Sequence, residues 1–273
     1  MLLTDERRID MNNNIKPGGY IRRFRLPRML EHHANSLVFM VLVVTGLSQK
    51  FHDSTWAEWI IVTLGGIDNS RFIHRSAGLV LAILTIQHIL VASYGVLFKK
   101  WPASMVVNMK DFTDAVDNIK YYLGITDSPA RCDRYDYKQK FEYWGVVIGG
   151  MLMAGTGMIL WFPARIFSML PILPGQIIPA AKAAHSNEAL LAFLVIVTWH
   201  IYNSVFSPEV FPLDTAIFTG KISTERMIHE HPLEYERITG IKLENDILFG
   251  HAGNKAEADQ ENNIDAANEA AEF

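Results

Sequence analysis

Four long apolar runs limit what this chain of 273 residues can fold into. A helix needs about 20 apolar residues to cross the hydrocarbon core of a bilayer, and soluble helices rarely stay apolar on every side for that length. Polar and charged segments separate the runs, and hydrophobic residues make up 49% of the chain. The pattern predicts an all-α membrane protein, a four-helix bundle with spans at about 32–51, 73–98, 143–162 and 185–206.

Positive charge is distributed unevenly among the segments that flank these spans. The segment before the first span and the loop between the second and third are rich in Lys and Arg, whereas the other two loops have few. Because cytoplasmic segments carry the excess of positive charge, this asymmetry predicts that both termini are cytoplasmic. The N-terminus lacks the apolar core of a signal peptide, so we expect no cleaved signal.

The remaining segments complete the expected organisation. In the 101–142 loop, apolar residues at helical spacing predict a cytoplasmic helix. The Pro-broken segment 163–184 is expected to lie on the outer membrane surface as an amphipathic piece. No internal repeat is evident. The expected domains are a cytoplasmic N-terminal segment, a four-span transmembrane domain, a cytoplasmic C-terminal segment and an acidic, disordered tail, at residues 1–30, 31–206, 207–251 and 252–273 respectively.

Histidines recur at two depths on this map. His74 and His185 open the second and fourth spans, which both run from outside to inside. His88 and His200 follow 14 and 15 residues later, a rise of about 21–22 Å that returns to within about 40–60° of the starting face. Each of these spans therefore carries one imidazole near each membrane face. The first span adds a neighbouring pair, His32 and His33, at the inner level.

Paired imidazoles at two depths suit haem b, a flat apolar macrocycle whose iron takes two axial ligands. Zinc fits less well because it needs four ligands, and no thiolate or carboxylate accompanies these histidines. A transporter's proton relay would need acids at depth, and Glu188 is the only acid within the expected spans. The single cysteine, Cys132, excludes a CxxCH haem attachment and a cysteine-ligated iron–sulfur cluster. The candidate outer ligands are His74 and His185; the candidate inner ligand is His200, with His32, His33 or His88 as its partner.

Several stretches carry a more specific signal than apolarity: "LEHHANSLVFMVLVVTGL", "FIHRSAGLVLAI", "DRYDYKQKFEYWGVVIGG", "GMILWFPA", "HSNEALLAFLVIVTWHIYN" and "FTGKISTERMIHEHPLEYERI". Over residues 20–240 they resemble the four-helix membrane cytochrome b subunits of respiratory formate dehydrogenases and nickel–iron hydrogenases. The resemblance implies an integral protein of a prokaryotic inner membrane. It also implies that a quinone or menaquinone is reduced near the inner haem, at the cytoplasmic side.

The resemblance also assigns haem ligands, with one choice left open. It implies that His74 and His185 hold the outer haem, and that His200 and a first-span histidine hold the inner one. Adjacent residues point about 100° apart on a helix, so only one of the two first-span histidines can readily ligate, and His33 is favoured because it is deeper. His88 is an additional histidine, and three alternative roles are open for it. It replaces the first-span histidine as the inner ligand, it binds a third haem, or it takes part in quinone chemistry.

These observations predict an electron-transfer subunit that connects a peripheral redox partner with the quinone pool through at least two bis-histidine haems. The chain has no iron–sulfur, molybdenum or nicotinamide motif, so the primary substrate is expected to react on another subunit, of an iron–sulfur or multihaem cytochrome c type. A net charge of −4 gives no case for nucleic acid. Two alternatives are a passive membrane anchor and a stand-alone ferric or ascorbate-type reductase.

Overall fold

The computed structural model describes residues 19–169, 175–208 and 210–243, so the expected disordered tail lies outside the described residues. Nearly all of the described secondary structure is helical. In chain order the elements are β1 (Tyr20–Arg22), α1 (Leu26–Lys50), α2 (Thr55–Thr63), α3 (Ile67–Phe98), α4 (Met109–Tyr122), α5 (Tyr137–Trp161), α6 (Pro163–Met169), α7 (Ile177–Val195) with the π turns Ile196–His200 and Tyr202–Phe206, α8 (Ala216–Thr219), β2 (Lys221–Ser223), α9 (Thr224–Glu230) and α10 (Pro232–Thr239).

The chain divides into two compact units. The first, here called the membrane unit, comprises Arg23–Met105 and Lys138–Gly220. Within the described residues, four helices are long and apolar enough to cross a membrane: α1, α3, α5, and α7 with its π turns. The predicted fold class, an all-α protein with four spanning helices, is confirmed.

The spanning helices have a reversed distribution of polarity. Large apolar side chains such as Leu37, Leu90 and Leu191 are exposed. This distribution is what a bilayer requires, since lipid rather than water surrounds the helices and polar groups must find partners inside the protein. The buried positions on the four helices are mostly small or polar: Thr45, Ser48, Ser70, Gly95, Lys140, Val147, Thr156 and Ala181.

All four spanning helices begin six to eight residues before their predicted spans. Helix α3 begins at Ile67, directly after Gly66 with a φ of 99°, a backbone conformation that favours glycine. Helix α7 begins at Ile177, because Pro179 falls in its first turn, where no backbone N–H is needed for the helical ladder. His74 and His185 therefore lie about two turns inside their helices rather than at the first residues.

The second unit, here called the polar unit, comprises residues 19–22, Val106–Tyr137 and 221–243 of the described part of the chain. Strands β1 and β2 pair antiparallel, with Ile21 opposite Ile222. Helices α9 and α10 follow the second strand and enclose a small apolar core with it. This core contains Ile222, Met227, Tyr235 and Leu243, and Ile21, Ile228 and Ile238 pack against it.

Ion pairs connect the loop before α5 to α10 within the polar unit. Arg134 pairs with Glu234 at 2.5 Å, and Arg131 pairs with Glu236 at 2.6 Å. The Glu234 side chain is only 2% exposed. A carboxylate this deeply buried depends on its partner, because removing the partner leaves an uncompensated charge.

We expect the substitution Arg134→Met to destabilise α10 by roughly 3 kcal/mol, because it removes the cation nearest to the buried Glu234 carboxylate and leaves Arg237 at 4.0 Å. Hydrogen–deuterium exchange of the α10 amides in the full-length protein measures this change. Lys120→Met is the matched control, because both Lys120 and its partner Asp117 are about half exposed and such pairs contribute about 0–1 kcal/mol. Equal exchange in the two variants would contradict the expectation.

Candidate haem centres

The outer histidines face each other across the membrane unit. His74 on α3 and His185 on α7 have ring centroids 6.2 Å apart, with the rings nearly perpendicular at 77°. Nδ1 of His74 lies 2.9 Å from Oγ1 of Thr45, and Nδ1 of His185 lies 2.9 Å from Oγ1 of Thr156. Each threonine precedes its histidine by 29 residues and lies on the preceding spanning helix.

The threonines determine which imidazole nitrogen carries hydrogen. A hydroxyl has one hydrogen to donate. Those of Thr45 and Thr156 donate theirs to the backbone carbonyl four residues earlier, at 2.7 Å in both cases. The imidazoles must therefore donate from Nδ1 to the hydroxyl oxygens. This tautomer leaves the lone pair of Nε2 available on His74 and His185 for a metal ion.

A glycine follows each threonine and lets the imidazole approach the helix backbone. A Cβ on Gly46 would lie 3.0 Å from Cε1 of His74, and one on Gly157 would lie 3.3 Å from Cε1 of His185. Both distances are shorter than ordinary carbon–carbon contacts of about 3.5–4.0 Å. Each Thr-Gly dipeptide thus lies against one side of its histidine ring. The dipeptide occurs at both sites, so it is a local sequence signal that could have indicated them.

At the inner level the structure brings His32 and His200 together, with ring centroids 6.1 Å apart. His33 instead packs against Phe218, at 5.1 Å. Within the described residues, the buried Nδ1 of His32 has no hydrogen-bond partner. The sequence favoured His33 because of its depth, but direction around α1 decides the neighbour, and His32 is the one beside His200.

His200 has an acidic partner that the sequence prediction missed. Its Nδ1 lies 2.7 Å from Oε1 of Glu142, whose side chain is 17% exposed. Glu142 fell just outside the predicted third span, which began at residue 143, whereas α5 begins at Tyr137. A carboxylate beside an imidazole orients the ring and makes its other nitrogen a stronger ligand.

His88 is occupied at both ring nitrogens. Its Nδ1 lies 2.7 Å from Oε1 of Glu31, and its Nε2 lies 2.9 Å from the hydroxyl of Tyr143. Arg28 binds the second oxygen of Glu31 at 2.7 Å. In this arrangement His88 offers no nitrogen to iron. Glu31 lies one residue before the predicted first span but within α1, so the spanning helices carry more acids than Glu188, the only one within the predicted spans.

The two histidine pairs fit a cofactor that brings its own equatorial ligands. Among the described residues, no group of three or more His, Cys, Asp or Glu side chains could hold a bare metal ion. Two imidazoles on opposite sides of one metal, each with a bond of about 2 Å, place their centroids about 6 Å apart. The observed 6.2 and 6.1 Å match this arrangement, so the residues present fit haem b.

Spanning helices with paired imidazoles at two levels are the features of a helical membrane cytochrome. A model of the prokaryotic cytochrome b561 family matches residues 23–217, which include all six candidate histidines. The chain belongs to this family. It is therefore a membrane cytochrome b, and the cofactor that the family implies is haem b.

Curated relatives cover nearly the same length. The cytochrome b556(fdo) subunit of formate dehydrogenase from Escherichia coli K12 is 23% identical over 218 residues, which are 80% of this chain and 93% of the relative. The cytochrome b556(Fdn) subunit of the nitrate-inducible formate dehydrogenase, from E. coli K12 and from Shigella flexneri, is 20% identical over 209 residues, 76% and 86% of the two chains. The predicted resemblance to formate dehydrogenase cytochrome b subunits is confirmed.

We expect Gly46→Ala to weaken haem binding at the outer pair, because the new methyl group displaces His74. Altering a group that orients a metal ligand typically lowers affinity by about 10–100-fold. Haem titration of the purified apoprotein, followed by its absorption spectrum, measures the change. Gly155→Ala is the control, since within the described residues a Cβ there would have no atom within 4 Å apart from its chain neighbours and the backbone of its own helix. Equal affinities for the two variants would contradict this account of Gly46.

Proposed function

We propose that this chain is the membrane subunit of a respiratory oxidoreductase complex, transferring electrons between a peripheral redox partner and the quinone pool through two bis-histidine haems. The observation that carries the proposal is the presence of two imidazole pairs with matched separations, His74–His185 and His32–His200. When bound, haem b supplies an iron that exchanges one electron reversibly.

The separation of the two pairs along the helices supports transfer across the membrane. His185 and His200 lie on one continuous helix, 15 residues apart, which corresponds to a rise of about 22 Å. The hydrocarbon core is about 30 Å thick, so the two pairs span most of it. Charge distribution in the loops supports cytoplasmic termini, with His32–His200 at the cytoplasmic level of a prokaryotic inner membrane.

A cationic cavity beside the outer pair supports binding of an anionic cofactor. This cavity of about 400 Å³ is lined by Asp68, Arg71, Phe72, Arg75, Ser76 and Trp161. The guanidinium of Arg75 lies 5.8 Å from the centre of the Trp161 ring. Arg71 and Arg75 would bind the carboxylates of the haem propionates, since Arg–carboxylate pairs are among the stronger charge-assisted hydrogen bonds.

The relatives support a partner subunit. Both are subunits of formate dehydrogenases, and this chain covers 93% and 86% of their lengths. We infer that a peripheral iron–sulfur or multihaem cytochrome c subunit delivers electrons at the outer level. The quinone or menaquinone would take two electrons, and two protons from the cytoplasm, at the inner level. A passive anchor would not account for the two facing imidazole pairs.

His32 and His33 allow a matched test of the inner centre. We expect His32→Ala to reduce the haem content from two per chain to one, because His200 loses its opposite ligand. We expect His33→Ala to retain both haems, because His33 packs against Phe218. Haem content and the reduced-minus-oxidised spectrum of the purified complex measure both. The assignment of His32 as the inner ligand would be overturned if only the His33 variant lost haem, or if neither variant lost it.

The Glu142 carboxylate is expected to lower the reduction potential of the inner haem. A negative charge beside His200 stabilises ferric iron relative to ferrous iron. Glu142→Gln should raise the inner potential, by about 59 mV if the ferric-to-ferrous ratio changes tenfold. Redox titration of the two haem signals measures this, with Glu188→Gln as the control. A shift in the outer signal alone would contradict the role given to Glu142.

A further inference from the structure

Helices α1 and α3 correspond to α5 and α7 in a set of equivalent positions and side-chain contacts, a correspondence that the sequence analysis did not detect. Helices α1 and α5 are both 25 residues long, and their first and last residues are each 111 positions apart. Helices α3 and α7 are related by the same offset through His74 and His185. The equivalent positions are Glu31 and Glu142, His32 and Tyr143, Thr45 and Thr156, Gly46 and Gly157, and His74 and His185.

The contacts repeat together with the positions. Thr45–His74 and Thr156–His185 are both 2.9 Å long. Glu31–His88 and Glu142–His200 are both 2.7 Å long. His200 follows His185 by one residue more than His88 follows His74. The π turn Ile196–His200 accommodates this extra residue, because a π turn contains one residue more than an α turn. His88 is therefore the counterpart of His200.

The low sequence identity between corresponding helices makes the correspondence hard to detect from the sequence. Between α1 and α5 only four of the 25 aligned positions are identical. The extra residue before His200 moves that histidine out of register with His88. The conserved pairs are those that touch the histidines, together with one methionine: Glu31 and Glu142, Met40 and Met151, Thr45 and Thr156, and Gly46 and Gly157.

The equivalent residues form one site at the outer level and two sites at the inner level. At the outer level, His74 and His185 are counterparts of each other, so they form one shared centre. At the inner level there are two sites. One contains Glu142, His200 and His32. In the other, here called the tyrosine site, Glu31 and His88 are retained and Tyr143 stands where the first site has His32, so the second imidazole of a bis-histidine centre is missing.

We propose that the tyrosine site, Glu31–His88–Tyr143, binds the headgroup of the quinone, an inference that rests on the proposed function. Its residues are counterparts of those in the inner haem site, so both sites lie at the same depth. The His88 side chain is 23% exposed, and exposed apolar residues such as Ile86 and Leu90 flank it on α3. A lipid-soluble ring with an apolar tail could therefore reach it from the bilayer.

The hydrogen bonding of the site suits both oxidation states of a quinone. Because the Glu31 carboxylate only accepts hydrogen bonds, His88 donates to it from Nδ1, and Nε2 accepts from the Tyr143 hydroxyl. The phenol is one neutral donor and the imidazole Nε2 one neutral acceptor, and they bond each other at 2.9 Å. On our proposal the headgroup enters between them and replaces this bond: a quinone carbonyl accepts from the phenol, and the hydroxyl of the hydroquinone, formed by gain of two electrons and two protons, donates to Nε2.

The test uses membranes that contain the intact complex, with menadiol, the hydroquinone of 2-methyl-1,4-naphthoquinone, as the reductant of the haems. Tyr143→Phe removes the hydroxyl and keeps the ring. We expect it to raise the menadiol concentration for half-maximal haem reduction by about tenfold, as for loss of one hydrogen bond, while haem content and spectrum stay unchanged. Tyr94→Phe, an exposed tyrosine farther along α3, is the control and should match the wild type.

Three other results would overturn the inference, in distinguishable ways. Equal half-maximal concentrations for Tyr143→Phe and Tyr94→Phe, with rapid reduction in the wild type, would refute the tyrosine site and leave the proposed function standing. Loss of a haem signal from Tyr143→Phe would show that Tyr143 serves the haem rather than the quinone. Failure of menadiol to reduce wild-type haems that dithionite reduces would refute the proposed function as well. His88→Gln gives a second reading and should also raise the half-maximal concentration.

Discussion

An imidazole inside a bilayer needs a hydrogen-bond partner that the protein itself supplies, and the membrane unit is organised around this requirement. A buried polar group without a partner is costly, and lipid offers none. Thr45 and Thr156 meet the need for the outer pair, and the Glu142 carboxylate lies 2.7 Å from Nδ1 of His200. Each partner lies on a different spanning helix from its histidine. The bonds that fix the ring tautomers therefore also hold neighbouring helices together.

Depth in the membrane could be predicted from the sequence, but direction around a helix could not. The apolar runs and the charge of the loops were enough to place His74 and His185 at one level and His200 at the other. The choice between His32 and His33 depends on which way α1 faces, and the structure places His32, rather than the favoured His33, beside His200. Glu142 was missed because the first turns of α5 are polar and the apolar pattern does not mark them as part of a spanning helix, although the helix includes them.

Some features need tertiary information that no local pattern carries. Pro179 reads as a helix breaker, yet in the first turn of α7 it breaks no hydrogen bond. His88 looks like a haem ligand by spacing alone, and only its contacts with Glu31 and Tyr143 show that both ring nitrogens are occupied. Spacing along the helix determines the depth of His88 but not its role, because the role depends on the residues that face the side chain from other helices.

The one-residue insertion accommodated by the π turn before His200 has an implication for how the molecule arose. Two initially equal halves can share a centre where they meet, and neither half can change its contribution there without affecting both. Away from that meeting point each copy is free to change separately. A chain that began as two equal helix pairs could in this way keep iron at one inner site and, on our proposal, give the other inner site to a mobile carrier. Duplication followed by loss of a single imidazole would then be enough to place donor and acceptor side by side.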